Sequence, residues 1–415
     1  MATIRQKTDS IGGGSRFWFE QSGDTYVIEK NVRVETTDEE ATIWGGMFDQ
    51  TIVVKGSALG QGNVMTLLGE GNTVRIDAKG LVRTYNQEAG ASAILIADGE
   101  ASITNAGRIV ANGAIGVTVS GDGNTIENTG SIKAASGVVL GHVGSVGDKL
   151  VNTGTIAGGV FDDLIQNGRR NNGVYAEGDD TIIVNKKGGV ISAVSSEGAG
   201  VAIGGNFVAA NHGGDGSRVD NKGTITSKEW YGVDFFNMHD VDAASLVNSG
   251  TIKGGAGSFR GNDIGETVVN KGKMVGDVLL NAGDDIFRGA NGVVDGRIFA
   301  GAGGDTILGG KGKDRIFGES GVDRLDGGKG SDRLTGGTEA DTFVFATGYG
   351  KDTVTDMQTG VDVIDLSGWN GINTLKQLKN HASNHGDDVW IVKGKDTLVI
   401  EDMRKGDLAA GDFDF

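Results

Sequence analysis

The feature that most constrains this chain is a nine-residue repeat in its C-terminal third. From residue 309 the sequence reads GGKGKDRIF, GESGVDRLD, GGKGSDRLT and GGTEADTFV, and a looser unit, AGAGGDTIL, precedes them. In each unit an aspartate is followed two positions later by an apolar residue. A short strand can carry the apolar side chain inward, while the glycines allow the positive φ angles of a tight turn. The repeat therefore predicts stacked coils of short strands rather than one globular core.

The aspartates of these turns predict a calcium site. Calcium takes six to eight hard oxygen ligands at about 2.3 to 2.6 Å, so one aspartate plus several carbonyls from each of two stacked turns could complete a shell. The predicted metal-binding residues are Asp285, Gly303, Asp305, Gly310, Gly312, Asp314, Gly321, Asp323, Gly328, Gly330, Asp332 and Asp341. Asp295 follows an irregular unit with two extra residues, so its role stays open. The alternative is that the aspartates merely close Asx-turns.

The segment resembles the RTX, or haemolysin-type, calcium repeat with consensus GGxGxDxUx. The units at 309–317 and 327–335 match every defined position, whereas Glu319 and Glu339 replace glycines in the other two. The resemblance implies an RTX calcium-binding β-roll over residues 281–345, with Ca²⁺ as its cofactor. Residues 346–415 resemble the C-terminal cap of RTX proteins exported by type I secretion. That implies the type I export machinery as a partner and an extracellular or cell-surface location.

A longer unit recurs between residues 100 and 275, with sequences such as ITNAGRI, LVNTGTI and VVNKGKM. Its asparagines are spaced by tens of residues and are Asn105, Asn128, Asn152, Asn185, Asn221, Asn248 and Asn270. The period, the small residues and the lack of helical patterning predict a parallel β-helix with asparagines stacked at a turn. We expect an all-β chain: an N-terminal cap at 1–75, a right-handed parallel β-helix at 76–280, then the roll and the C-terminal cap.

Composition narrows the possible partners. The 415 residues include no cysteine and no proline, so disulfides and thiolate metal sites are excluded. The net charge of -17 disfavours binding to nucleic acid and favours cations. We expect no cleavable signal in the polar first residues, and no apolar run has the length of a membrane span.

The residues that could perform catalysis are Tyr231, Asp234 and His239. The stretch WYGVDFF faintly resembles the YGFDPH motif of mannuronan epimerases, but Phe236 stands where that motif has histidine. Because the coils are regular and no constellation of residues converges, we favour a non-enzymatic adhesin or surface scaffold that binds a polysaccharide or cell-surface glycan. The alternative is a polysaccharide lyase or C5-epimerase acting on an acidic glycan from the β-helix face.

Overall fold

A computed structural model describes residues 2–19, 21–85, 91–142, 144–159, 171–196, 198–204, 216–236, 244–289 and 291–415. These residues form mainly short strands in long parallel sheets, which confirms the predicted all-β class with parallel coils. The chain divides into two compact units. Unit 1 comprises 1–244 and 252–256, and unit 2 comprises 245–251 and 257–415. Among the described residues, no helix combines the length and the apolarity that a membrane crossing needs.

Unit 1 is a stack of coils with strands on three faces. The first face contains Thr3–Gln6, Thr25–Ile28, Thr51–Val54, Thr73–Ile76, Ser102–Asn105, Thr125–Asn128, Lys149–Asn152, Ile182–Asn185 and Arg218–Asn221. The second contains Ser10–Gly12, Arg33–Thr36, Ser57–Gly60, Leu81–Thr84, Thr155–Gly158, Val190–Ala193 and Thr224–Ser227. The third contains Phe17–Phe19, Ile43–Gly45, Met65–Leu67, Ser92–Ile96, Val174–Ala176, Val201–Ile203 and Tyr231–Phe235. Arg108–Val119 and Ser131–Leu140 run through the second and third faces, and a further strand is Thr251–Lys253.

The core of unit 1 is built from side chains that stack on their equivalents one coil away. On the first face Ile52, Val74, Ile103 and Ile126 are paired in register, and each is almost fully buried. Alternate residues of the same strands point outward, as the two-residue period of a strand requires. Burial of these aliphatic columns is the main stabilising term of the coils.

The recurring asparagines form side-chain ladders at one turn of the coil. The Asn105 amide donates to Asn128 Oδ1 at 2.8 Å, and the same bond links Asn128 to Asn152, Asn152 to Asn185 and Asn185 to Asn221. In unit 2, Asn248 donates to Asn270 at 2.9 Å. The predicted stacking of asparagines is confirmed. Because an amide both donates and accepts, such a ladder satisfies buried polar groups without charge.

Unit 2 consists of two sheets. The first contains Ser245–Asn248, Thr267–Asn270, Ile286–Arg288, Thr306–Gly312, Arg324–Gly330, Thr342–Val344, Val363–Asp365 and Phe413–Asp414. The second contains Gly257–Arg260, Lys273–Val275, Val278–Leu279, Val293–Asp295, Ile298–Ala302, Arg315–Ser320, Arg333–Thr338 and Lys351–Val354. It is extended by Ala382–His385, Asp388–Lys393 and Asp396–Ile400, which pair antiparallel with one another. Between residues 298 and 365 the strands alternate between the sheets, so two nine-residue units complete one coil.

The roll of unit 2 has an apolar interior that repeats with the units. Ile307, Leu325 and Phe343 stack from the first sheet, and Ile316 and Leu334 stack from the second. All five side chains are at most 2% exposed. The apolar position of each repeat therefore faces inward, as its spacing from the aspartate predicts.

The C-terminal segment closes unit 2. A helix at Leu375–His381 begins after Thr374, whose side chain accepts a hydrogen bond from the Gln377 N–H, and it buries Leu378. A 3₁₀ turn follows at Ala410–Asp412. Two ion pairs join this segment to the roll: Arg333 binds Glu401 through two bonds of 2.8 and 3.0 Å, and Arg324 binds Asp365. The segment also contains the strands Asp388–Lys393 and Asp396–Ile400.

Candidate metal centre

The six predicted aspartates lie in two rows, one at each edge of the roll, and Asp352 and Asp362 extend these rows. Each aspartate except Asp352 lies at the end of a glycine-rich turn, directly before a strand, and Asp352 is the second residue of the strand Lys351–Val354. The first row precedes strands of the first sheet and contains Asp285, Asp305, Asp323, Asp341 and Asp362. The second row accompanies strands of the second sheet and contains Asp314, Asp332 and Asp352. All eight are at most 2% exposed. A nine-residue spacing places successive aspartates on opposite edges, so neighbours within a row come from successive coils.

Each row is held by hydrogen bonds between coils. The N–H of one aspartate donates to Oδ1 of the aspartate one coil further on. These bonds are Asp285 to Asp305 at 2.7 Å, Asp305 to Asp323 at 2.9 Å, Asp323 to Asp341 at 3.0 Å, Asp341 to Asp362 at 2.9 Å, Asp314 to Asp332 at 2.8 Å and Asp332 to Asp352 at 3.1 Å. An Asx-turn would instead bind the N–H two residues ahead. The geometry of these residues thus differs from the Asx-turn alternative.

The second carboxylate oxygen of most of these residues has no hydrogen-bond donor among the described residues. This holds for the buried Oδ2 atoms of Asp285, Asp305, Asp314, Asp323, Asp332, Asp341 and Asp352. We call these seven residues the carboxylate ladder. Asp362, at the end of the first row, differs because its Oδ2 accepts the Gln358 N–H at 2.7 Å. A buried carboxylate oxygen without a partner is costly, so the ladder requires a proton or a cation.

Burial raises the pKa of every member of the carboxylate ladder. The pKa rises to about 6 for Asp305, Asp323 and Asp332, and to about 7 for Asp314, Asp341 and Asp352. Repulsion from neighbouring carboxylates adds to the effect, for example from Asp332 on Asp314. Burial likewise raises the pKa of Asp285 well above its usual range. At neutral pH the ladder therefore gains stability from bound positive charge.

The first glycine of each unit leaves the space that a cation would need. A Cβ atom added to Gly309 would lie 2.9 Å from Asp314 Oδ2 and 2.8 Å from the carbonyl oxygen of Gly327, one coil away. The corresponding atom on Gly318 would meet Asp323 Oδ2 and a carbonyl oxygen in the same manner. A free carboxylate oxygen and a backbone carbonyl thus converge beside these glycines. Hard oxygen donors of this kind fit calcium.

Backbone carbonyls must supply much of any metal shell here. In the portion of the chain that the structure covers, no three His, Cys, Asp or Glu side chains converge to hold a metal ion. A site therefore combines one or two ladder carboxylates with carbonyls of the glycine turns. The predicted glycines suit this arrangement because Gly303, Gly310, Gly312, Gly321, Gly328 and Gly330 all have positive φ angles. Glu319 and Glu339 adopt the same conformation, with φ of 76° and 74°.

Comparison with protein families agrees with this geometry. Residues 295–325 and 317–350 match the family model of the RTX calcium-binding nonapeptide repeat, which spans four copies. Residues 295–350 are RTX calcium-binding repeats. No curated protein matches the chain significantly. The RTX segment thus binds Ca²⁺, and the assignment of individual residues as ligands stays a prediction.

Three residues of the RTX rows escaped the sequence analysis, namely Asp352, Asp362 and Glu266. Glu266 precedes the strand Thr267–Asn270, and its N–H donates to Asp285 Oδ1 at 2.5 Å, so it extends the first row by one coil. Its Oε2 is buried without a donor in the described residues, and a Cβ on Gly261 would meet this oxygen and a carbonyl of the next coil. Burial and repulsion from Asp285 raise the pKa of Glu266. The spacing from Glu266 to Asp285 was a usable signal, but the unit GNDIGETVV has glutamate in place of aspartate.

Asp295, whose role the sequence left open, lies outside the RTX rows. Its side chain is 67% exposed and pairs with Lys273 at 3.7 Å. The strand pairing explains this position. Ile298 pairs with Ile316, so Gly296, and not Asp295, lies opposite Asp314. The two extra residues of that unit shift the aspartate out of the turn.

The residues considered for catalysis are only partly described. Asp234 is 1% exposed, and its Oδ2 accepts the indole N–H of Trp230 at 2.8 Å. Tyr231 is half-buried and contacts Trp230 edge to face. His239 lies outside the described residues. A general base must reach the proton of its substrate, and the buried carboxylate of Asp234 is occupied by a neighbouring side chain.

Proposed function

We propose that this chain is a secreted protein whose RTX roll folds when calcium binds outside the cell. The observation that carries the proposal is the carboxylate ladder, with its buried oxygens and raised pKa values. RTX repeat proteins are typically secreted. At calcium concentrations ten times the dissociation constant, each site adds about 1.4 kcal/mol of stability, whereas a calcium-poor cytosol adds almost none. Several weak sites together then act as a folding switch.

The folding proposal is tested by removing calcium from the full chain. Circular dichroism, hydrodynamic radius and tryptophan fluorescence should all change on chelation, because Trp369 is buried in the segment that closes the roll. Re-addition of calcium should restore them, whereas magnesium at the same concentration should not, since it demands stricter octahedral geometry. An unchanged spectrum and melting temperature after chelation would contradict calcium-dependent folding.

We further propose that the β-helical coils form a non-enzymatic adhesive or scaffolding surface for a cell-surface or matrix polysaccharide. Three features support this assignment: the regular parallel coils, the turns held by asparagine side-chain ladders, and the carboxylate of Asp234, which already accepts the Trp230 indole N–H. Stacked coils offer an extended, rigid face whose neighbouring strands repeat at about 4.8 Å. A polymer with a regular repeat can contact several coils at once.

Adhesion and catalysis are separated by one assay. The calcium-loaded chain is incubated with neutral, acidic and amino polysaccharides, and both retention on the polymer and chemical change by proton NMR are recorded. Retention without chemical change is the expected result. Turnover that Tyr231→Phe abolishes would establish the lyase or epimerase alternative instead.

We also propose that residues 346–415 direct type I export. Support comes from their position beside the RTX roll and from the closing helix and strands at Leu375–His381, Asp388–Lys393 and Asp396–Ile400. Co-expression of the full chain with a type I exporter in a bacterial host should deliver it uncleaved to the medium. Retention of the full chain in the cells, with a control RTX substrate exported, would contradict this route.

A further inference from the structure

The first coils of unit 1 expose aromatic side chains on their third face. Trp18 is 58% exposed, and it pairs in register with Trp44 of the next coil. The two ring centroids are 4.6 Å apart. Large exposed aromatic rings on regular strands mark interaction surfaces more often than they serve packing.

A cleft opens beside Trp44. Its volume is about 1070 Å³, and its walls include Trp44 on one strand and Tyr85 at the end of another. The cleft is also lined by polar side chains that can donate and accept hydrogen bonds. They are Gln61, Asn63 and Thr66; Asn63 accepts the Ser92 N–H at 2.8 Å and donates to Thr66 at 3.3 Å, so its second amide hydrogen is the one that a ligand can use. This combination of aromatic faces with amides and a hydroxyl is the chemistry that recognises sugar rings, which have apolar faces and polar edges.

The charge of the cleft is negative. Asp38, Glu39 and Glu40 line it, and the described lining residues include no lysine or arginine. Asp38 already accepts the N–H groups of Gly14 and Glu40. Glu39 and Glu40 are exposed, so their carboxylates face solvent and can bind a ligand. Acidic polymers would be repelled here, whereas a ligand with ammonium groups would be attracted.

We propose that this cleft binds a polysaccharide that carries free amino sugars. One pyranose ring stacks on Trp44, its hydroxyls bond to Asn63 and Gln61, and its ammonium groups pair with Glu39 and Glu40. The parallel coils let the polymer run along the stack and reach Trp18. The inference deepens the adhesive function proposed above and rests on it, and it specifies the polysaccharide as a cationic one.

The test uses the calcium-loaded full chain and soluble glucosamine oligomers, fully N-acetylated oligomers and oligouronates in isothermal titration calorimetry. The wild type should bind the glucosamine oligomers best. Trp44→Ala should weaken this binding about tenfold. Glu39→Gln with Glu40→Gln should remove the preference for free amino groups while the melting temperature stays unchanged, because both side chains are exposed. Phe48→Ala is the matched control, since Phe48 is 52% exposed but does not line the cleft.

Several outcomes would overturn the proposal. Equal affinity of wild type, Trp44→Ala and the double glutamine variant would exclude this cleft and leave the adhesive function intact. Preference for oligouronates would exclude the ligand class. Self-association by light scattering that Trp44→Ala abolishes would identify the face as a contact between copies. Binding of a basic peptide but no sugar would make the occupant a protein. If the wild type binds no polysaccharide and no cell surface, the adhesive function itself fails.

Discussion

Replacing one ladder aspartate by asparagine should have opposite effects with and without calcium. Asp332 is suited to this test because its Oδ1 accepts the Asp314 N–H at 2.8 Å, while its Oδ2 has no donor in the described residues. Asparagine keeps the accepting oxygen and replaces Oδ2 by an uncharged NH₂ group. A Cβ on Gly327 would lie 2.6 Å from Oδ2, so this oxygen packs beside the first glycine of its unit.

The magnitude follows from the pKa of Asp332, which burial raises from 3.8 to about 6. Two pKa units correspond to about 3 kcal/mol of cost for the ionised form, and solvent at the edge of the roll reduces this to about 1 to 2 kcal/mol. Without calcium at pH 7.5, Asp332→Asn should therefore stabilise the roll by about 1 to 2 kcal/mol. With calcium, loss of a charged ligand should weaken binding at least tenfold, or about 1.4 kcal/mol for each affected site.

Thermal unfolding of the full chain in chelator and in saturating calcium measures both effects, and calcium titration calorimetry gives the affinity. Asp295→Asn is the matched control, because Asp295 is exposed and lies outside the RTX rows. It should change neither quantity by more than a few tenths of a kcal/mol. If Asp332→Asn destabilises the chain equally in both conditions, the aspartate serves packing rather than cation binding, and the reasoning is refuted.

Three further predictions follow from the RTX roll. Because the pKa values of the carboxylate ladder are raised, protonation of these aspartates stabilises the calcium-free roll. This stabilisation is complete below about pH 4 and is lost as the pH rises through 6 to 7. The melting temperature in chelator should therefore fall over this window, while the affinity for calcium rises. Glu319→Gly should stabilise the calcium-loaded roll by about 0.5 to 1 kcal/mol in thermal unfolding, because glycine adopts the positive φ angle of this position without the steric cost of a Cβ atom. Glu339→Gly should gain less, since the Glu339 carboxylate accepts the Gly321 N–H at 2.9 Å. Glu266→Gln should lower the number of calcium ions bound in calorimetry if Glu266 is a ligand, and an unchanged number would exclude it.

The repeat period predicted the coils well because burial of one apolar residue per strand fixes the register. The buried Ile307 and Leu325, and the asparagine ladders, lie where the spacing placed them. The pattern did not reveal Glu266, because its unit has glutamate where the repeat has aspartate, and only the inter-coil bond to Asp285 places it in the row. The cleft beside Trp44 was also invisible, since its walls come from strands far apart in sequence.

A comparison of the two units explains why a turn with an amide needs no cation while a turn of the roll does. In unit 1 the residue before a first-face strand is an amide at Gln50, Asn72 and Asn124, whereas Asp148 holds this position with a buried Oδ2 that has no donor among the described residues. Asn124 accepts the Ala101 N–H at 3.0 Å through Oδ1 and donates through Nδ2 to the Gly121 carbonyl at 2.7 Å. In the roll the same position holds a carboxylate, which accepts the inter-coil bond but cannot donate to the carbonyls of its turn. Calcium between the carboxylate and those carbonyls supplies the missing positive partner. Replacement of an amide by a carboxylate at one position of the coil thus converts a permanently satisfied turn into one whose stability depends on calcium.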